Sequence, residues 1–178
     1  ADFMLVQLEI PLGAVLTVVD IAQSHHVPVL LNPAPAQPLP EALLRHVTLL
    51  IPNETEAGLL SGMDILNDSD LDSAVGKLRQ LGAGSVIVTL GKRGALVAPA
   101  GKKALRVPSP SVAVVDTTAA GDAFVAAVAV SLAEGHNLEE ATRWGCAAGA
   151  LACTKLGAQP SLPTRDAVAD FVRSSLSG

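Results

Sequence analysis

The sequence predicts an α/β protein whose sheet is mostly parallel and carries helices on both faces. Three observations support this. Short apolar runs of strand length alternate with helical patterns along the chain, as repeated strand–helix units require. The best of those runs, Ser85 to Leu90, is nearly continuous in apolar residues, which is how a strand buried on both faces reads. Apolar residues make up 49% of the 178 positions, with Tyr absent and aromatics at 2%. That composition suits a sheet covered by small-residue helices and does not suit an aromatic-rich binding surface.

The elements follow in order. Phe3 to Leu8 is a first strand, and its start so close to Ala1 leads us to expect a chain that begins in mid-fold. Gly13 to His25 reads as a helix, Val27 to Leu31 as a buried strand, and Pro40 to His46 as a short helix. Val47 to Ile51 is strand-like, and Asn53 opens a helix that ends near Gly62. A helix over Asp68 to Leu81 takes its N-terminal acid and cap chemistry from Asp68, Ser69 and Asp70. Gly91 and Gly94 bracket a turn after the Ser85 to Leu90 strand. Ala95 to Ala98, Lys103 to Val107 and Val112 to Val115 then read as short strands. Three helices close the chain, over Ala120 to Glu134, Leu138 to about Thr154, and Thr164 to Leu176. The length fits one domain, residues 1–178, large enough to bury a core.

Several function classes are excluded. The net charge is −5 and no basic run exceeds Lys102-Lys103, so neither nucleic acid nor an acidic membrane is expected as a partner. Charges break every apolar stretch well short of the roughly 18 residues a membrane span needs. Cys146 and Cys153 fall seven apart on one helix, about 10 Å at the helical rise, too far to bridge each other. Two unpaired thiols and no signal-peptide pattern point to the cytoplasm. The Gly-Lys-Ser/Thr phosphate loop of common ATPases is missing. Gly82-Ala83-Gly84 precedes its strand and so fails as a dinucleotide fingerprint. His25 and His26 point apart on a helix and are expected to face solvent.

Chemistry concentrates between Val114 and Phe124. An apolar run ends in a polar turn that opens into an Ala-rich helix, with Asp116 and Asp122 six residues apart. Ala119, Ala120 and Gly121 are small enough for a ligand to approach the main chain. The start of a helix offers N–H groups without intrahelical partners and the positive end of its dipole. This is an anion site suited to phosphate. Asp122 in the first turn would take a proton from a hydroxyl attacking that phosphate. A plain strand–turn–helix with Asp122 as an N-terminal helix residue is the competing reading.

Asp116-Thr117-Thr118-Ala119-Ala120-Gly121-Asp122 resembles the C-terminal signature of the ribokinase-like carbohydrate kinases. Gln7-Leu8-Glu9 and Asn32-Pro33-Ala34-Pro35-Ala36 resemble further segments of that family. The first implies that Glu9 binds the sugar; the second reads as a loop stiffened by prolines, structural and lining the site at most. Asn53-x-x-Glu56 is similar to the family's element for ordering Mg2+ and nucleotide phosphates, with Glu56 acting through water. Its spacing equally fits a helix capping box. Thr89-Leu90-Gly91-Lys92-Arg93-Gly94 resembles a nucleotide-contacting turn, and a hairpin turn with exposed charges is the alternative.

Lys155 to Ser161 resembles a monovalent-cation segment. The resemblance implies K+ held by Asp116 and Ser161 with the main-chain oxygens of Thr118, Ala152, Lys155 and Gly157. Cys146 stands where the family places an asparagine or histidine near adenine. Ala126 replaces a common glycine where the helix is expected to pack closely.

The resemblance thus implies a ribokinase-like, Rossmann-like fold and ATP-dependent transfer of the γ-phosphoryl group to the 5-hydroxyl of D-ribose, with Mg2+ and K+. In that transfer Asp122 is the base, and Ala119, Ala120 and Gly121 form the anion hole. It corresponds only to the C-terminal, nucleotide-binding part of such a kinase. The N-terminal strands and the β lid, through which the family usually dimerises, are expected to be absent. A fructokinase or adenosine kinase relative and a non-catalytic nucleotide-binding protein remain the alternatives.

Overall fold

A computed structural model of the protein describes residues 1–175, so the end of the last helix expected near Leu176 lies outside the described residues. The chain divides into two compact units. One takes Ala1–Thr89 with Leu96–Leu105, the other Leu90–Ala95 with the chain from Arg106 onward.

The expected parallel sheet is present. Six strands lie in chain order: β1 (Met4–Val6), β2 (Val29–Leu31), β3 (Leu49–Leu50), β4 (Ser85–Thr89), β5 (Ala95–Ala98) and β6 (Leu105–Val107). The first four pair in parallel, with Met4 opposite Val29, Leu30 opposite Leu49 and Leu49 opposite Ser85. Parallel neighbours need crossovers, and helices supply them. Helix α1 (Leu12–Ser24) links β1 to β2, and α2 (Glu41–Leu44) links β2 to β3. Helices α3 (Glu54–Ser61) and α4 (Asp68–Gln80) link β3 to β4. Val29, Leu30, Leu31, Val86, Ile87 and Val88 of the sheet are buried, as are Val15, Val19 and Ala22 of α1 and Leu71, Ala74 and Leu78 of α4.

An asparagine cap decides where α4 begins. Asn67, not Asp68, caps α4: its Oδ1 accepts the N–H groups of Ser69 at 2.9 Å and Asp70 at 3.1 Å. Asn is as good a cap as Asp, so the neighbouring acids left the position ambiguous in the sequence. His25 and His26 end α1 as an exposed turn, as expected.

The second unit is built on helices α5 (Ala120–Ala133), α6 (Leu138–Ala152) and α7 (Arg165–Ser175). Gly135, at φ +90°, and a capping box between Asn137 and Glu140 join α5 to α6. The two helices approach closely across small residues. A methyl on Gly145 would lie 2.8 Å from Val128 Cγ2 and 2.9 Å from Phe124, and one on Gly149 would lie 3.1 Å from the Ala120 carbonyl oxygen. Ala126 is therefore not the close-packing position expected of it; it is exposed, and Phe124 and Val128 carry the contact. Val168 of α7 joins Ala123, Ala147, Ala148 and Ala152 in a small core.

The strand expected over Val112 to Val115 does not form. These residues make no ladder, and Val114 and Val115 are 63% and 62% exposed. A strand needs a neighbour for its backbone groups. Here the Val115 N–H donates to the Cys153 carbonyl at the end of α6, so the segment runs as an extended lead-in to the turn that follows.

Candidate active site

In a parallel sheet all carboxyl ends lie on one edge, where ligands of open α/β folds collect. In the first unit that edge carries exposed Glu9 after β1, Asn32 after β2, Asn53 after β3 and Thr89 at the end of β4. Asn53 and Thr89 form an isolated parallel bridge, and the Thr89 N–H donates to the Pro52 carbonyl at 2.9 Å.

Asn53 is the N-cap of α3, and the capping box is complete. Asn53 Oδ1 accepts the Glu56 N–H at 2.9 Å, while Glu56 Oε2 accepts the Asn53 N–H at 2.8 Å. Glu56 is only 6% exposed. Burial pushes its carboxyl above the ordinary value, and the Asn53 N–H works against that shift. The capping reading of Asn-x-x-Glu therefore holds, and it fixes both oxygen-bearing side chains at the strand edge.

The second unit holds the other cluster. The turn over residues 90–95 is a short 3-10 helix (Gly91–Arg93) closed by a bond from the Leu90 N–H to the Gly94 carbonyl at 2.8 Å. Gly94 sits at φ +87°, and a methyl there would fall 2.0 Å from the Val107 carbonyl oxygen. Gly94→Ala is expected to destabilise the protein by about 2–5 kcal/mol, combining backbone strain with overpacking. Gly91 has φ +55° and nothing within 4 Å of an added methyl, so Gly91→Ala should cost only about 1–2 kcal/mol. Urea unfolding of the two variants separates them; equal midpoints would refute the close approach at Val107.

Cys146 is buried on α6 with its thiol 4.0 Å from that same Val107 carbonyl, and burial pushes the thiol up to about 12. It stays protonated and unreactive. Cys153 caps the same helix, and both cysteines are free, as expected.

Asp116 stitches the signature turn to the exit of α6. Its Oδ1 accepts the Thr118 N–H at 3.0 Å and the Thr118 hydroxyl at 2.7 Å, and its Oδ2 accepts the Gly157 N–H at 2.9 Å. The Gly157 N–H, then those Thr118 donors, hold its carboxyl down at about 2, so Asp116 is ionised at any working pH. The Val115 and Asp116 N–H groups both donate to the Cys153 carbonyl, at 2.8 and 3.2 Å. Gly157 adopts φ +90°, and buried Ser161 donates its hydroxyl to the Ala158 carbonyl at 2.7 Å. Asp116, Thr118, Ala152, Lys155, Gly157 and Ser161 all belong to the two segments joined in this way.

Ala119 then caps α5 in the left-handed region, φ 59° and ψ 8°, with no side-chain cap. For an alanine that conformation costs about 1–2 kcal/mol, and such strain concentrates at functional sites. The Ala120 N–H donates to the Thr117 carbonyl at 3.2 Å, and the ladder of α5 begins with the Ala123 N–H on the Ala119 carbonyl at 2.9 Å. One of the expected anion-hole amides is thus used inside the turn. Gly121 and Asp122 are exposed in the first turn of the helix.

Sequence reasoning gave Asn32 too little. Its side chain makes two strand-to-strand bonds, and the signal available was an amide residue directly before a proline at a strand end.

The first unit is a parallel α/β sheet with an exposed strand edge, where open α/β folds collect ligands, and the second holds a stitched turn that feeds a helix N-terminus. Residues 2–165 match the pfkB family carbohydrate kinases, and the chain belongs to that family. It is 40% identical over 172 residues to a ribokinase of Haemophilus influenzae, covering 97% of this chain and 56% of that protein. A solved structure of Arabidopsis thaliana ribokinase complexed with ribose and ATP is 37% identical, with a TM-score of 0.93, over 97% of this chain and 56% of that one. The phosphofructokinase-2 of Escherichia coli in complex with potassium is 26% identical with a TM-score of 0.79, over 98% of this chain and 56% of that one. The chain thus spans little more than half the length of these relatives.

Proposed function

We propose that this chain carries the nucleotide-binding part of an ATP-dependent kinase that phosphorylates the 5-hydroxyl of D-ribose. The observation that carries this reading is the 116–122 turn. Its first aspartate is tied to Gly157, its Ala119 is held in the left-handed region, and its second aspartate stands in the first turn of α5. The ribose and ATP of the Arabidopsis relative support the choice of substrates.

In this reading Asp122 accepts the proton of the attacking hydroxyl. The main chain over Ala119, Ala120 and Gly121 stabilises the charge that spreads over the transferring group. Thr89, Leu90, Gly91, Lys92, Arg93 and Gly94 contact the nucleotide, with Cys146 near its base, and Glu9 binds the sugar. Mg2+ supplies neutralisation of phosphate charge, and the hard oxygen donors of Asn53 and Glu56 fit it, Glu56 acting through water. No cluster of three or more His, Cys, Asp or Glu suited to a metal exists among the described residues. A set of oxygens from Asp116, Ser161 and the main chain of Thr118, Ala152, Lys155 and Gly157 would suit a large, weakly hydrated cation such as K+. We place the protein in the cytoplasm; among the described residues no helix is long and apolar enough to cross a membrane.

ADP release by a catalytically competent form of the protein, measured with ribose, fructose and adenosine, tests the reading. A preference for ribose supports it, a preference for either other substrate reassigns the kinase, and no response to any sugar leaves a nucleotide-binding role. Activity is also expected to rise with K+ and to fall when Na+ or Li+ replaces it at constant ionic strength, and Asp116→Ala should erase that response. The potassium complex of the phosphofructokinase-2 relative supports this expectation. Indifference to the monovalent ion would remove the cation assignment.

A further inference from the structure

Pro33 has no N–H, and that omission lands at a definite place in the sheet. The Ile51 N–H donates to the Leu31 carbonyl at 2.8 Å. In a parallel ladder the residue making that bond offers its own carbonyl to the N–H two positions further along the partner, here residue 33. Proline cannot answer. The side chain of Asn32 does so instead, its Nδ2 donating to the Ile51 carbonyl at 2.8 Å.

The same residue faces the other neighbour as well. Its backbone N–H donates to the Val6 carbonyl at 2.9 Å, and its Oδ1 accepts the Gln7 side-chain amide at 3.1 Å. Asn32 therefore spans three strand ends, from the Gln7 that precedes Leu8 and Glu9 to the Ile51 that precedes Pro52 and Asn53. Beyond Ile51 the Pro52 carbonyl is taken by the Thr89 N–H, and Asn53 starts α3. Both ends of the Asn32 amide are fixed by directional bonds, so a shift at one strand end is transmitted to the other.

We infer that Asn32 is a positioning residue whose side-chain amide ties the Glu9 strand end to the Asn53–Glu56 cap, so that its two bonds set how well that cap receives Mg·ATP. The inference rests on the proposed nucleotide-binding reading and adds to it a link between the sugar-side and phosphate-side ends of the sheet. Asn32 is only partly buried and its bonds join strands that the ladder already pairs, so its loss perturbs geometry more than fold.

The test follows the backbone amides of Asn53 and Glu56 by NMR while the 178-residue chain is titrated with Mg·ATP, a method that reads millimolar affinities. Asn32→Leu removes both bonds, and Gln7→Met removes the first of them and leaves the bond to Ile51 in place, with a side chain of similar length. Each variant is expected to shift the Asn53 and Glu56 amides and to weaken Mg·ATP binding, by about tenfold for Asn32→Leu and less for Gln7→Met. The double variant should be no weaker than Asn32→Leu alone, because both act through one amide. Gln7→Met keeps the test decisive if Asn32→Leu does not fold. Wild-type affinity in Gln7→Met and in any folded Asn32→Leu, or additive losses in the double variant, would overturn the inference while leaving nucleotide binding intact. A wild-type chain with no response to Mg·ATP at these amides would overturn it together with the reading beneath it.

Discussion

On the proposed kinase reading, replacing Asp122 by Asn is expected to lower the turnover of a catalytically competent form of the protein by at least about 10²-fold, the low end for loss of a general base. That factor corresponds to about 2.7 kcal/mol of barrier. The substitution is nearly isosteric, and Asp122 is exposed in the first turn of α5, so the helix should form as before. Binding of ATP should change little, because Asn keeps the helix start and removes a negative charge near the phosphates. The loss must therefore appear in kcat with an ATP affinity close to that of the wild type. A variant with near-normal turnover would take Asp122 out of the mechanism. A variant that loses ATP affinity in step with turnover would make it a binding residue and leave the base unassigned.

The signature turn was legible because its chemistry is local. Small residues, two aspartates and a helix start occupy consecutive positions, and the structure keeps them consecutive at the head of α5. The Asn53–Glu56 cap was legible for the same reason, since a three-residue spacing decides it. The misreadings came from partners distant in sequence. Val112 to Val115 has the composition of a strand, but composition does not state whether a neighbouring strand exists, and the Val115 N–H goes instead to the end of α6. The close-packing surface of α5 was assigned to Ala126, whereas the deciding residues, Gly145 and Gly149, lie on the next helix. The bond from Gly157 to Asp116 crosses 41 positions, so only the family resemblance brought those two segments together before the structure did. For Asn32 the missing donor of Pro33 was visible in the sequence, but the carbonyl it leaves unanswered is that of Ile51, just beyond β3, and appears only once the register is known.

The 178-residue polypeptide on its own is expected not to phosphorylate ribose at a measurable rate, to bind ATP weakly, and to self-associate. The chain spans 56% of the Haemophilus influenzae ribokinase it resembles. The phosphate-handling residues of the proposed mechanism lie between Asn53 and Ser161, so some affinity for Mg·ATP has a physical basis within the chain. Sugar positioning has much less, because Glu9 is the one residue assigned to ribose apart from Asp122. Holding a hydroxyl in line with a phosphorus atom and excluding water supplies about 7–11 kcal/mol of a barrier, and losing most of it removes any useful rate. The surface points the same way. Val114 and Val115 are open to solvent immediately before Asp116, and β1 stands at one end of the sheet order with Leu5 42% exposed. In the second unit an apolar pocket of about 210 Å³ lies among Ala126, Val130, Trp144 and Leu162. An exposed apolar side chain such as Leu5 on a strand at the end of the sheet order favours pairing between copies. Light scattering of the purified chain should therefore show species larger than a monomer, and coupled ADP release with ribose and Mg·ATP should not rise above the ribose-free control. Ribose-dependent ADP release at 1 s⁻¹ or faster, the low end of about 1–100 s⁻¹ typical of kinases, would show that these residues suffice for catalysis and that Glu9 and Asp122 hold the sugar without further help.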